Sequence, residues 1–173
     1  MKKGNYLYFS SLLILVLSIT RLSAQTSISQ AQAVFLFNFT KMVEWPLDYK
    51  SGDFVIGVCG TSEVTESLKY YTKGKTVGQQ NIKIVQFANG ERTGKCHILF
   101  VCFPNTKELT TIINRISGNK TLIVCEKTGA LSNGAAINFV VLEDKLKFEL
   151  KQQNAIKFGL KILSSLQNMA ISK

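Results

Sequence analysis

The sequence predicts a single α/β domain with a three-layer-like organisation, in which packing helices cover a mainly parallel mixed sheet that ends in a C-terminal β-hairpin. Continuous apolar runs at residues 54–58, 98–101 and 122–124 are typical of strands buried on both faces of a parallel sheet. Helical patterns at residues 62–72 and 105–117 separate these runs. Strands and helices that alternate along a chain favour a layered α/β domain.

The N-terminal segment, residues 1–24, has the organisation of a secretory signal peptide. Two lysines precede an apolar run from Tyr6 to Ile19, and Leu22 to Ala24 supply the cleavage site. The run is shorter than the roughly 20 apolar residues that a membrane-spanning helix requires. We therefore expect a cleaved signal peptide and an exported, periplasmic domain at residues 25–173.

The net charge is positive, at +10 for the whole chain and +7 without Lys2, Lys3 and Arg21 of the predicted signal peptide. Positive charge attracts anionic headgroups or acidic proteins, while nucleic acid is a poor candidate in the expected compartment. The lysines are scattered along the sequence, which favours a solvated basic face. We expect no nucleic-acid partner and only an indirect contact with the membrane.

The first helix of the exported domain is predicted from about residue 28 to residue 43 or 44. Ser27 and Gln30 fit a capping box at its start, and Pro46 stops it because proline disfavours helical backbone at the preceding residue. Its predicted inward face consists of Ile28, Ala31, Phe35, Phe39 and Met42.

Trp45, the only tryptophan, stands at the exit of this helix. A large ring at such a corner either seals the core or contacts a partner. The helix is also more apolar than a single buried stripe requires, because Val34, Leu36 and Phe37 lie outside that stripe. Both interpretations stay open, and the candidate partner-contact residues are Phe37, Lys41, Glu44, Trp45 and Pro46.

The rest of the domain is predicted from periodicity. Residues 82–87 alternate and indicate a strand near a sheet edge, and residues 136–142 and 145–150 flank Glu143 and Asp144 as a hairpin. A final helix over residues 153–170 contains Gly159, which we expect to permit close packing on the hairpin.

Catalytic chemistry is poorly represented in the sequence. His97 is the only histidine, so a histidine-based metal cluster is excluded and His97 is best interpreted as a hydrogen-bonded structural residue. The glycines after the first strand, Gly57 and Gly60, lack the third glycine of a dinucleotide site. We therefore predict a non-enzymatic protein with no metal or cofactor.

The cysteines have three complete pairings in an exported, disulfide-permissive compartment. Cys96 and Cys102 flank one predicted strand and are about 20 Å apart, beyond the roughly 7 Å reach of a disulfide. In a simple parallel sheet, Cys59, Cys102 and Cys125 end their strands at one edge and Cys96 begins its strand at the other. This geometry favours a bond within the first three or none at all.

Five motifs together resemble the YfiR family, also designated DUF4154. They are K-x-V-E-W-P (41–46), K-C-H-I-L-F-V (95–101), G-x-x-I-N-F-V (134–140), F-E-L (148–150) and N-A-x-x-x-G-L-K-I (154–162). The matches occur in the family order and span nearly all of the chain after the predicted signal peptide.

The resemblance implies a periplasmic α/β regulator, typically dimeric, that holds a membrane-bound diguanylate cyclase inactive and so limits cyclic-di-GMP and biofilm formation. It also implies a disulfide between Cys59 and Cys96, in conflict with the simple sheet geometry. A second family pair would need cysteines near residues 134–140, where this chain has none.

Two functions are consistent with these observations. The first is a regulatory module that binds the periplasmic part of an inner-membrane diguanylate cyclase or sensor kinase. The alternative is a periplasmic small-ligand-binding protein with its pocket at the carboxyl ends of the parallel strands, near Cys59 to Ser62 and Phe103 to Thr106.

Overall fold

The computed structural model describes residues 28–88, 94–102 and 108–171. Its central element is a seven-stranded sheet with strand order β3-β4-β2-β5-β6-β7-β8. These strands are β2 (Phe54–Cys59), β3 (Thr76–Val77), β4 (Gln80–Phe87), β5 (Ile98–Val101), β6 (Leu122–Cys125), β7 (Ile137–Leu142) and β8 (Lys145–Leu150). The pairs from β4 through β7 are parallel, and β3 and β8 add antiparallel edges. The predicted mainly parallel mixed sheet is confirmed.

The helices cover both faces of this sheet. They are α1 (residues 28–42), α2 (Val64–Thr72), α3 (Leu109–Arg115), α4 (Gln152–Lys157) and α5 (Ser164–Met169). Residues of α1, α2, α4 and α5 share one apolar cluster with one sheet face, and α3 forms a second cluster with the other face. Successive strand residues enter opposite clusters because side chains alternate across a strand. This arrangement is the predicted three-layer organisation.

Helix α1 ends at residue 42, one to two residues before the predicted end at residue 43 or 44, and the chain then enters the short strand β1 (Val43–Glu44). Its buried face is rotated from the predicted one: Ala33 and Leu36 are fully buried, whereas Ile28 and Ala31 are only partly buried. The rotation arises because α1 packs against the sheet on one side and α2 on the other, so more than one stripe of the helix is covered.

The prediction of a single C-terminal helix over residues 153–170 is wrong, because two short helices and a strand occupy this segment. Helix α4 ends at Lys157, and Gly159, which follows the C-cap residue Phe158, has a left-handed φ of 68°. The Leu160 N–H donates to the Ala155 carbonyl. The following strand β9 (Lys161–Ile162) pairs antiparallel with β1, so Gly159 redirects the chain toward the exit of α1. The helical periodicity of the sequence does not reveal this long-range pairing.

The predicted hairpin is confirmed. Glu143 and Asp144 have φ values of 51° and 57°, as a two-residue type I′ turn requires, and they join β7 to β8. Phe148 of β8 is buried and Leu146 and Leu150 pack against the same cluster. The first residues of the helix predicted over 105–117, residues 105–107, lie outside the described residues.

Candidate docking surface

Trp45 lies in the core, with only 6% of its surface exposed. Its ring packs edge-on against Phe54 with a centroid distance of 5.0 Å, and its Nε1–H donates to the Lys120 carbonyl at 3.0 Å. The Lys120 N–H donates in turn to the Tyr49 hydroxyl at 3.0 Å. These contacts join the exit of α1 to the chain just before β6 and give the indole a structural role.

His97 completes this aromatic corner, which we define as Trp45, Tyr49, Phe54 and His97. Its Nδ1 accepts the Val55 N–H at 3.0 Å, so Nε2 carries the proton and donates to the Tyr49 carbonyl at 2.8 Å. Its ring stacks on Phe54 with a centroid distance of 4.1 Å. Burial lowers the pKa of His97, so the buried ring is held neutral as a structural residue.

Two other predicted contact residues, Glu44 and Pro46, lie at this corner. Glu44 pairs with Lys161 at 3.1 Å across the β1–β9 pair. Pro46 is half-buried and precedes the 3₁₀ helix Leu47–Tyr49. The apolar side chain presented to solvent here is Leu47, which is 83% exposed.

The cysteines are all buried thiols in this structure, with no disulfide between them. Because Ile98 is level with Ile56, Cys96 is level with Phe54, and Cys59 lies about 16 Å away along the strands. The Cys59–Cys96 bond implied by the resemblance is therefore not formed, and this sheet register is incompatible with it. Cys102 lies beside Cys59 instead, and its thiol donates to the Cys59 carbonyl at 3.0 Å.

The thiols of Cys96 and Cys125 are expected to be unreactive in the folded protein. Burial raises the pKa of Cys96 to about 12 and also raises that of Cys125, so little thiolate is present near pH 8. Iodoacetamide followed by peptide mass spectrometry should leave both unmodified in the native protein and should alkylate all four cysteines after unfolding without reductant. Two alkylated cysteines in the unfolded sample would instead demonstrate a disulfide.

Phe37 and Lys41, the remaining predicted contact residues, lie at the boundary between α1 and α2. Phe37 is only 5% exposed and packs edge-on against Tyr71 of α2, with a centroid distance of 5.6 Å. The Lys41 and Lys75 ammonium groups lie 4.7 Å and 4.9 Å from the Phe37 ring centroid. Lys75 also lies 3.3 Å from the Tyr71 centroid, so two lysines cover one aromatic pair.

A groove of about 450 Å³ continues from this aromatic pair along α1 and α2. It is lined by Gln30, Val34, Glu66, Ser67, Tyr70 and Tyr71. Tyr70 is 86% exposed at its rim. We call the groove together with Phe37, Lys41 and Lys75 the α1–α2 surface, and it is our candidate docking surface.

The sequence analysis missed the contributions of α2 and Lys75 to this surface, although the sequence contains a signal for the α2 part. Tyr70 and Tyr71 are adjacent in a helix, so their side chains are about 100° apart and cannot both face the sheet. At least one aromatic ring therefore had to point away from the core. The lysine contacts bring together residues far apart in sequence and are visible only in three dimensions.

Neither a metal site nor a membrane-spanning helix is found within residues 28–88, 94–102 and 108–171. No group of three or more histidine, cysteine or acidic residues there is placed to hold a metal ion. No helix in these ranges has the length and apolar character needed to cross a membrane.

Comparison with known families identifies the chain. Residues 29–171 match the family described as YfiR/HmsC-like, DUF4154. The chain belongs to the YfiR/HmsC-like family. The family is regulatory and generally periplasmic, and it acts in signalling rather than in catalysis. No curated protein matches the chain at a significant level of similarity.

The motifs that resemble the YfiR family perform structural tasks in this chain. Trp45 and His97, from two separate motifs, meet in the aromatic corner. Asn138 accepts the Lys127 N–H and donates to Glu149, and Asn154 donates to the carbonyls of Leu131 and Ala135. These family motifs describe how the domain is held together, whereas the α1–α2 surface lies largely outside them.

Proposed function

We propose that this chain is an exported, non-enzymatic regulator that binds the periplasmic part of an inner-membrane signalling protein, a diguanylate cyclase or a sensor kinase, and modulates its activity. In this proposal residues 1–24 direct export and residues 25–173 form the regulatory domain. Membership of the YfiR/HmsC-like family carries the proposal. The α1–α2 surface supports it, because exposed aromatic residues beside apolar grooves are common at protein interfaces.

Deleting the gene and measuring cellular cyclic-di-GMP tests the cyclase form of this proposal. We expect the cyclic-di-GMP level to change and to return to normal when the gene is restored. We also expect the tagged protein to co-purify with an inner-membrane signalling protein. An unchanged cyclic-di-GMP level, together with no membrane protein in the purified sample, would contradict the proposal.

The small-ligand alternative places its pocket at the carboxyl edge of the sheet. The start of α1 lies over part of this edge, where Gln32 donates to Glu126 at 2.7 Å and Ser29 donates to Glu63 at 3.5 Å. Residues 103–106, the other part of the predicted pocket, lie outside the described residues. A thermal-shift screen with amino acids, vitamins and nucleotides separates this alternative from the regulatory proposal, because only a ligand-binding protein should be stabilised by one of them.

A further inference from the structure

The α1–α2 surface contains two cationic side chains that lie against aromatic rings. Lys41 and Lys75 are held over the rings of Phe37 and Tyr71 by cation–π contacts. Among the described residues, carboxylates pair with Lys69 and Lys161 but not with these two lysines. Both ammonium groups therefore lie beside the Phe37 ring, and Lys75 also lies over Tyr71, which lines the groove.

The groove beside these lysines has the geometry of a helix-binding site. Ser29 contacts Glu63 near the helix starts, and Phe37 contacts Tyr71 eight residues further along in both segments. Helices α1 and α2 therefore run side by side in the same direction. From Gln30 to Lys41 the helix rises about 16 Å, or about three turns. Val34 and the two tyrosines provide the apolar lining between these ends.

We propose that this groove binds an amphipathic helix of the partner, with its apolar side between α1 and α2 and its carboxylates over Lys41 and Lys75. This inference rests on the proposed regulatory function and assigns the chemistry of the partner segment. An apolar groove between two helices is a common receptor for a third helix. These lysines select acidic residues by charge complementarity.

Two other occupants fit the surface less well. A flat anionic bilayer cannot follow a concave groove, and the ammonium groups of Lys41 and Lys75 lie against aromatic rings. A second copy of this chain would form a two-fold interface in which the same surface faces itself, so Lys41 and Lys75 of both copies would bring four positive charges into one interface.

The test measures binding of two fluorescent synthetic peptides to residues 25–173 by fluorescence anisotropy. Both peptides are three-turn amphipathic helices with the same leucine face. The polar face carries glutamates in the first, the glutamate peptide, and lysines in the second, the lysine peptide. We expect the glutamate peptide to bind, and K41E/K75E to weaken that binding about tenfold or more. We also expect K41E/K75E to gain affinity for the lysine peptide.

The matched control is K83E/K157E, which makes the same change in net charge at two exposed lysines outside the α1–α2 surface. This variant should bind the glutamate peptide as the wild type does. Equal weakening by both double variants, or equal wild-type binding of both peptides, would overturn the proposal. Circular dichroism and a melting curve establish that each variant is folded.

Two further measurements address the competing occupants. Binding to anionic phospholipid vesicles that is lost in K41E/K75E, with no binding of the glutamate peptide, would assign the surface to a membrane and overturn the proposal. A dimer in light scattering that becomes a monomer in K41E/K75E would assign it to a second copy and also overturn it. If K41E/K75E regulates cyclic-di-GMP normally, the docking inference fails while the proposed regulatory function stands.

Discussion

Replacing Trp45 with alanine is expected to lower the free energy of unfolding by about 3–5 kcal/mol, the range for truncating a large buried aromatic residue. The substitution removes the edge-on contact with Phe54 and leaves the Lys120 carbonyl without the indole donor. For a domain of this size the melting temperature should fall by about 10 °C. Denaturant unfolding monitored by circular dichroism measures the loss.

Leu47→Ala is the matched control for Trp45→Ala, since it removes an apolar side chain from the same corner. Leu47 is 83% exposed, so we expect its replacement to change stability by less than about 0.5 kcal/mol. The stability loss of Trp45→Phe should lie between those of Trp45→Ala and Leu47→Ala, because phenylalanine keeps an aromatic ring but lacks the Nε1 donor. If Trp45→Ala kept full stability but lost regulation of cyclic-di-GMP, the indole would be a partner contact and its structural assignment would be wrong.

Replacing His97 with phenylalanine is expected to lower the free energy of unfolding by about 1–3 kcal/mol near pH 7.5. Phenylalanine retains a ring that can stack on Phe54, but the Val55 N–H loses its acceptor. The Tyr49 carbonyl loses the His97 donor and keeps the Gln80 side-chain amide, which donates to it at 3.1 Å. Each buried polar group left without a hydrogen bond costs roughly 1–3 kcal/mol. The comparison therefore isolates the hydrogen bonds of His97 from its packing.

The stability of the wild type should also depend on pH through His97. Burial lowers the pKa of His97 in the folded state below the ordinary value of 6.5, and the nearby Lys95 charge acts in the same direction. The unfolded chain therefore binds a proton that the folded chain does not. The free energy of unfolding should fall as pH drops through about 6.5, by up to about 1.4 kcal/mol per pH unit, until the folded-state pKa is reached.

Phenylalanine at position 97 cannot titrate, so the stability difference between wild type and His97→Phe should narrow as pH falls from 7.5 to 5.5. Urea unfolding of both proteins at several pH values measures this difference. Other titrating residues are the same in both proteins, so their contributions to the pH dependence largely cancel when the two free energies are subtracted. A difference that stays constant over this range would mean that His97 has the same pKa in the folded and unfolded states.

Local sequence patterns were sufficient to predict most individual elements. The continuous apolar runs identified β2, β5 and β6, because strands buried on both faces need apolar side chains in both directions. Pro46 located the end of α1, and the alternating residues around Glu143 and Asp144 located the hairpin. The C-terminal segment was mispredicted because β9 pairs with β1, more than 100 residues earlier in the chain.

The candidate site shows the same division between local pattern and long-range contact. Phe37 and Lys41 were identified because α1 is more apolar than one buried stripe requires. Their partners Tyr71 and Lys75 belong to another part of the chain, and only helix packing brings them over Phe37. The interpretation of the cysteines likewise depended on the strand register, which separates Cys59 from Cys96.

By itself, the sequence determined the α/β class, the exit of α1 at the Trp45 corner and the scarcity of catalytic groups, because these depend on local periodicity, proline geometry and residue types. Only the tertiary structure decided between a buried and an exposed indole. It places Trp45 under the Lys120 carbonyl and against Phe54, and it leaves Tyr70 and Leu47 exposed instead. The physical reason is that burial depends on which distant segments pack against a residue, and a local pattern does not contain that information.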